Sequence, residues 1–263
     1  MRNSILQGKH AVVFGAGGSI GAAIAREFAA EGAEVFLSGR TQSNVEAVAR
    51  QVSADGGRAH ASVIDAADDT AVNTYLDEIA KLVGKVDIAV NVTGPRAGEY
   101  GNGQPAVDLG IEEFMLPMTT IVRSHFVTAR AAARQMVKQR SGAVVFVTGS
   151  PARGHVPGAT AIGAAFGAIE NLTENLAIEV GQFGVRVVCV RTLANIDSRT
   201  IRETWEALSV PKDQAVAQIA NSNFLKVPAS VSDTANAVVL IASDRARMLT
   251  GTVVNATAGA AAD

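Results

Sequence analysis

At 263 residues, 48% of them hydrophobic, the chain can bury a sizeable core yet stays within the range of one α/β domain. A formal net charge of −2 and an isoelectric point near 6.1 exclude the basic surplus expected of a nucleic-acid or anionic-membrane binder. The lone cysteine, Cys189, rules out an internal disulfide, and with no CxxC or Cys/His cluster no metal site is expected.

The opening "MRNSILQGKH" has no apolar run of signal-peptide length, and no stretch approaches a membrane span. Cytoplasmic localisation is therefore expected. "HAVVFGAG" is a short apolar run ending in glycines, the pattern of a buried strand. "SIGAAIAREFAAEGA" then sets Ile20, Ala23, Ile24 and Phe28 on one helical face, with Gly32 as the stop. "EVFLSG" reads as the second strand and "SNVEAVARQVSADGG" as the second helix. "RAHASVID" follows as the third strand, "DDTAVNTYLDEIAKLVG" as the third helix and "VDIAVNVTG" as the fourth strand. From there to Arg140 the chain is mostly helical after Glu112, with a break near Pro117. "GAVVFVTGS" is the fifth strand, "ATAIGAAFGAIENLTENLAIEVGQFG" a long helix, and "VRVVCVRTL" the sixth strand, in which Cys189 reads as a small buried hydrophobe. Two more helical stretches lead to a last strand, "GTVVNATAG".

Strands alternate with helices throughout, and the strands are near-continuous apolar runs. Both features predict a parallel sheet covered by helices on both faces. No linker, repeat or low-complexity segment interrupts the pattern, so residues 1–263 read as one domain. In such a sheet a ligand lies beyond the carboxyl ends of the strands, where the strand order reverses. The segments after Phe14, Ser38, Ile64, Val90, Thr148 and Val190 should then surround one crevice.

"VFGAGGSIGAAIA" supplies the glycine-rich turn between the first strand and first helix. Gly15 and Gly17 let the backbone turn tightly and approach a pyrophosphate, helped by the N–H groups at the helix start. Gly21 lets helix and strand pack closely, while Ile20 sits where the third glycine of GxGxxG would fall. The chain resembles the short-chain dehydrogenase/reductases, especially the branch of 3-oxoacyl-carrier-protein reductases. The family's T-G-x-x-x-G-x-G is similar to Phe14-Gly15-Ala16-Gly17-Gly18-Ser19-Ile20-Gly21 here. Its D-[IV]-L-V-N-N-A-G resembles "DIAVNVTG", matching at Asp87, Ile88, Val90, Asn91 and Gly94, and its ending resembles "MLTGTVVNATAG". The resemblance implies a single-domain, Rossmann-type doubly wound fold. It also implies a dinucleotide bound by Gly15, Gly17, Ser19, Ile20, Gly21, Asn91 and Gly94, with Asp65 of "VIDAAD" facing the adenine. At the end of the second strand, where an acidic residue would select NAD, the chain has Gly39 followed by Arg40. Ser38, Arg40 and Thr41 offer donors and a guanidinium suited to a 2′-phosphate, so the expected cofactor is NADP.

The resemblance further implies a tyrosine acid/base, a lysine four residues on, an orienting serine and an asparagine on the preceding helix. A free phenol titrates near ~10, so a neighbouring ammonium is needed to favour the phenolate. Aligned on Leu172, Thr173, Leu176, Ala177 and Glu179, the long helix places Ile162 at the tyrosine and Phe166 at the lysine. A shift by one gives Gly163 and Gly167, so no register restores the pair. Ile121 falls at the asparagine, Thr192-Leu193 replaces the usual Pro-Gly, and Ser150 is the surviving serine. Other proton carriers placed near the crevice are Tyr100 and His155, with Arg96 and Arg153 in the same two loops. Glu170 and Glu174, spaced i, i+4, read as a solvated or subunit-facing pair.

Two readings follow. One is an NADP-dependent oxidoreductase with non-standard proton chemistry acting on an apolar small molecule, such as an enoyl thioester whose enolate is held by hydrogen-bond donors. The other is an inactive nucleotide-sensing or assembly protein that kept the fold. Alanine-rich helix faces around residues 118–137 and 159–180 exceed what one core needs and predict a homodimer or homotetramer.

Overall fold

A computed structural model describes residues 4–154 and 156–261. The described residues form seven strands: β1 His10–Phe14, β2 Glu34–Gly39, β3 Arg58–Val63, β4 Ile88–Asn91, β5 Gly142–Gly149, β6 Val185–Thr192 and β7 Thr252–Ala256. They make one sheet in the order β3-β2-β1-β4-β5-β6-β7, with every neighbouring pair parallel. The doubly wound α/β expectation holds. The order reverses between β1 and β4, which is where the crevice opens.

The helices are α1 Ser19–Ala30, α2 Gln42–Ala54, α3 Asp69–Val83, α4 Ile111–Pro117, α5 Arg123–Gln139, α6 Thr160–Val180, α7 Arg199–Ala207, α8 Lys212–Asn221 and α9 Val231–Ala242. Their ends carry local signals. Asp68 caps α3 by accepting from Ala71 N, and Gly84 closes that helix in the left-handed conformation. Ser230 caps α9 and is capped in return by Asp233.

Strand residues alternate between two cores, so a run apolar at every position fits a sheet covered twice. Val12, Phe14, Phe36 and Phe146 meet α3, α5 and α6, whereas Val13, Leu37, Val90 and Val190 meet α1, α2 and α9. At the edge of the sheet β3 is largely exposed, because one flank has no neighbour to bury it. None of the described helices is long and apolar enough to cross a membrane.

Three expectations change. After β6 the described chain forms three helices instead of two. Pro117 does not break the helix, because Met118–Val122 continue it as a π turn into α5. The hydroxyl of Thr120 takes up the Leu116 carbonyl at 2.6 Å, one of the groups such a turn frees. Glu170 is not a solvated partner of Glu174. It is buried against β6 in an ion pair with Arg191, while Glu174 is exposed. Helical spacing alone carries no sign of a cation arriving from a strand 21 residues later.

Candidate cofactor and active site

The glycine loop is wedged between three elements. Gly15 has φ +82°, and a Cβ on it would lie 3.0 Å from Thr93 N at the end of β4. Its N–H and that of Ala16 donate to the Ser38 carbonyl at 3.0 and 2.9 Å, tying the loop to the end of β2. Gly21 admits α1 from below, since a Cβ there would stand 2.3 Å from the Gly15 carbonyl oxygen. The loop therefore rims a cleft of about 430 Å³ at the ends of β1, β2, β3 and β4.

Of the residues expected at the cofactor, Gly15, Gly17, Arg40, Thr41, Asp65 and Gly94 line this cleft. Ser19, Ile20, Gly21, Ser38 and Asn91 stand behind its wall, for different reasons. Ile20 packs on the core beneath α1. The Ser19 hydroxyl accepts from Arg199 N at 3.0 Å. Ser38 is only 1% exposed, so its hydroxyl faces the interior and its contribution to the loop is the carbonyl just described. Asn91 is also buried. Its Nδ2 donates to Thr128 Oγ1 at 2.8 Å, and its Oδ1 accepts from Thr93 N and Thr93 Oγ1 at 2.8 and 2.7 Å.

Sequence reasoning missed Thr93, Thr120, Ser124 and Arg199, all of which line the cleft. Thr93 Oγ1 and Ser124 Oγ lie 2.7 Å apart, so Asn91 holds a pair of hydroxyls at the cleft wall. A visible signal existed for Thr93, since it sits between Asn91 and Gly94 in a matched motif. Ser124 and Thr120 reach the same wall through the π turn, and Arg199 arrives from beyond β6.

The positions assigned to acid/base chemistry are apolar and packed. Ile121 and Ile162 belong to the buried core, and Phe166 packs against that core. A Cβ on Gly149 would come within 3.1 Å of Phe166 Cε2, so this strand end packs tightly against that ring. Ser150 begins a short 3-10 turn, Ser150–Arg153, one residue further on and half-buried. Tyr100 does not reach the crevice. It is 4% exposed in the core, and burial, with the charge of Glu203, pushes its phenol up to about 12. Ionisation at neutral pH is thereby opposed. His155 lies outside the described residues. Arg96 lines a second cavity of about 440 Å³ beside Glu99 and Glu203.

Two buried titratable groups flank this region. Cys189, buried as expected, has its thiol pushed up to about 12 by burial and is not a nucleophile at neutral pH. His125 on α5 is fully buried and its pKa falls to about 4, while its Nδ1 meets the Ile121 carbonyl at 2.8 Å. Among the described residues no group of three His, Cys, Asp or Glu could hold a metal ion.

Comparison with known proteins agrees with this geometry. A family model described as short chain dehydrogenase matches residues 9–207. The short-chain reductase protein NovJ of Streptomyces niveus is 28% identical over 256 residues, covering 97% of this chain and 95% of its own. A Beutenbergia cavernae protein described as an NAD(P)-dependent gluconate 5-dehydrogenase, solved with NADP at low occupancy, superposes with a TM-score of 0.85. It is 28% identical, with 97% of this chain and 98% of that one covered. NAD⁺-bound xylitol dehydrogenase superposes with a TM-score of 0.89 at 24% identity, over 97% and 99% of the two chains.

Proposed function

This chain belongs to the short-chain dehydrogenase family, and we propose that it is an NADP(H)-dependent oxidoreductase whose proton chemistry bypasses the Tyr/Lys pair. The observation that carries this reading is the cleft, which brings the glycine loop together with Arg40 and Thr41 where Gly39 leaves no carboxylate. A carboxylate there would accept the ribose hydroxyls and repel a 2′-phosphate, whereas a guanidinium favours the phosphate.

The residues present fit a dinucleotide. Gly15, Gly17 and Gly18 line the cleft without side chains, which allows the close backbone approach a pyrophosphate requires. Gly15 and Gly17 hold the phosphates in this reading, Arg40 and Thr41 the 2′-phosphate, Asp65 the adenine side and Gly94 the far wall. When bound, the dinucleotide supplies or accepts a hydride. The chain's own part is to bind, exclude water and settle charge on the reacting oxygen. We assign Ser150 to that oxygen and give Tyr100 no role, because its phenol is buried.

An apolar carbonyl or enoyl substrate is proposed from the resemblance to the 3-oxoacyl-carrier-protein reductase branch, while Ile121 and Ile162 are buried in the core and Phe166 packs against it. The reductase and dehydrogenase names of the relatives favour turnover over nucleotide sensing. The protein acts in the cytoplasm as a homodimer or homotetramer, in this reading, with no nucleic-acid or membrane partner. Stopped-flow absorbance of NADPH with a panel of enoyl and 3-oxoacyl thioesters tests it. NADPH consumption with at least one thioester is expected, together with NADPH binding at least tenfold tighter than NADH. Tight NADPH binding without oxidation across the panel would make the protein a sensor.

A further inference from the structure

We propose that Arg199, at the first position of α7, is a phosphate clamp held over the glycine loop, acting on the pyrophosphate that NADP and NAD share. The inference rests on the dinucleotide reading above and adds a residue to it. Arg199 lines the same cleft as Gly15, Gly17 and Gly18, although it lies 180 residues beyond the loop. Its backbone N–H donates to Ser19 Oγ at 3.0 Å, docking the first turn of α7 on the first turn of α1.

The strap that delivers it is pinned along its length. Asn195 bridges to Ala229 and accepts from Thr234 Oγ1 at 2.8 Å, Asp197 accepts from Val231 N at 2.9 Å, and Ser198 caps α7. The guanidinium itself is exposed and faces Glu203 Oε1 at 3.7 Å, beyond hydrogen-bond length. Its fork of donors is therefore available to an anion, and it matches phosphate oxygens in shape and charge. Arg40 stands elsewhere in the cleft, at the end of β2 beside Thr41 and Asn44. The cleft thus holds two arginines with separable duties, one for the phosphates on the glycine loop and one for the 2′-phosphate.

The test is a titration of the full chain with NADPH, NADH and ADP, by fluorescence or calorimetry, using wild type, Arg199→Gln and Arg40→Gln. Loss of a charge-assisted hydrogen bond weakens binding by about tenfold. Arg199→Gln is expected to weaken all three ligands by that factor, and Arg40→Gln to weaken NADPH alone. Glu203→Gln, which removes the carboxylate facing the guanidinium without touching the loop, should tighten NADH and ADP and guards against a fold defect in Arg199→Gln. Unchanged NADH and ADP affinity in Arg199→Gln would overturn the clamp and leave the cofactor reading standing. A wild-type protein that bound none of the three ligands would overturn both.

Discussion

Arg191 and Glu170 meet in a two-pronged ion pair inside the molecule, Nε to Oε1 at 2.8 Å and Nη2 to Oε2 at 2.8 Å. Arg191 is 2% exposed and Glu170 7%, and Thr148 Oγ1 adds a third bond to Oε1 at 3.0 Å. The pair fastens α6 to β6 and, through Thr148, to the end of β5, one helical turn beyond Phe166. Removing one partner would leave the other charged and unpaired in the interior, at a cost of about 3–5 kcal/mol. Arg191→Met is therefore expected to lower unfolding stability by that amount in a denaturant titration. Adding Glu170→Leu should recover most of the loss, because apolar groups then replace both charges. A double variant no more stable than the single one would show that the pair has other duties.

Gly21→Ala tests the wedge beneath the phosphate loop. The new methyl would be aimed at the Gly15 carbonyl oxygen, 2.3 Å away, and one of the two must move. Backbone cannot yield as a flexible side chain does, so a destabilisation of about 1–3 kcal/mol is expected. The displaced loop should also weaken NADPH binding. Thermal unfolding and a fluorescence titration read the two effects together.

His125 gives stability a pH dependence with a definite sign. Burial lowers its pKa from 6.5 to about 4, so between those values the unfolded chain binds a proton that the folded chain refuses. Stability from this group is complete above pH 6.5, falls as pH drops through the window, and stops falling near 4. The slope is about 1.4 kcal/mol per pH unit, or about 3 kcal/mol across the window. His125→Leu should flatten the unfolding free energy between pH 6.5 and 4 relative to wild type. Parallel pH profiles for the two proteins would refute the assignment.

The glycines of the loop, the apolar strands and the missing carboxylate after β2 could all be read from the chain, because each is a local requirement of backbone or charge. The parallel, doubly covered sheet and the placing of a crevice beyond its strand ends followed from alternation, whereas the strand order itself came from the pairing of distant segments. What escaped was set by contacts between distant segments. Arg191 reads as a strand residue near a turn, and only the pairing of Thr148 with Arg191 across β5 and β6 brings it to Glu170. Arg199 reaches the cleft because a long strap folds back over α1. Ser38 and Tyr100 erred in the opposite direction. Both lie at places where chemistry was expected, but burial turns the Ser38 hydroxyl and the Tyr100 phenol inward.

Placing at Ile162 and Phe166 the tyrosine and lysine that the family resemblance implies should not create an open polar wall. Ile162 is buried in the core, so Ile162→Tyr adds bulk where packing is complete, at about 1–3 kcal/mol. Phe166→Lys places an ammonium one helical turn before Glu170, whose two oxygens already serve Arg191 and Thr148. The added cation would either remain unpaired near Gly149 or compete with Arg191 for the carboxylate. The double variant is expected to unfold at lower denaturant than wild type and to oxidise NADPH no faster with the thioester panel. A gain in rate, with a new ionisation in its pH profile, would mean that the wall is open and that these two apolar side chains alone keep a phenol out.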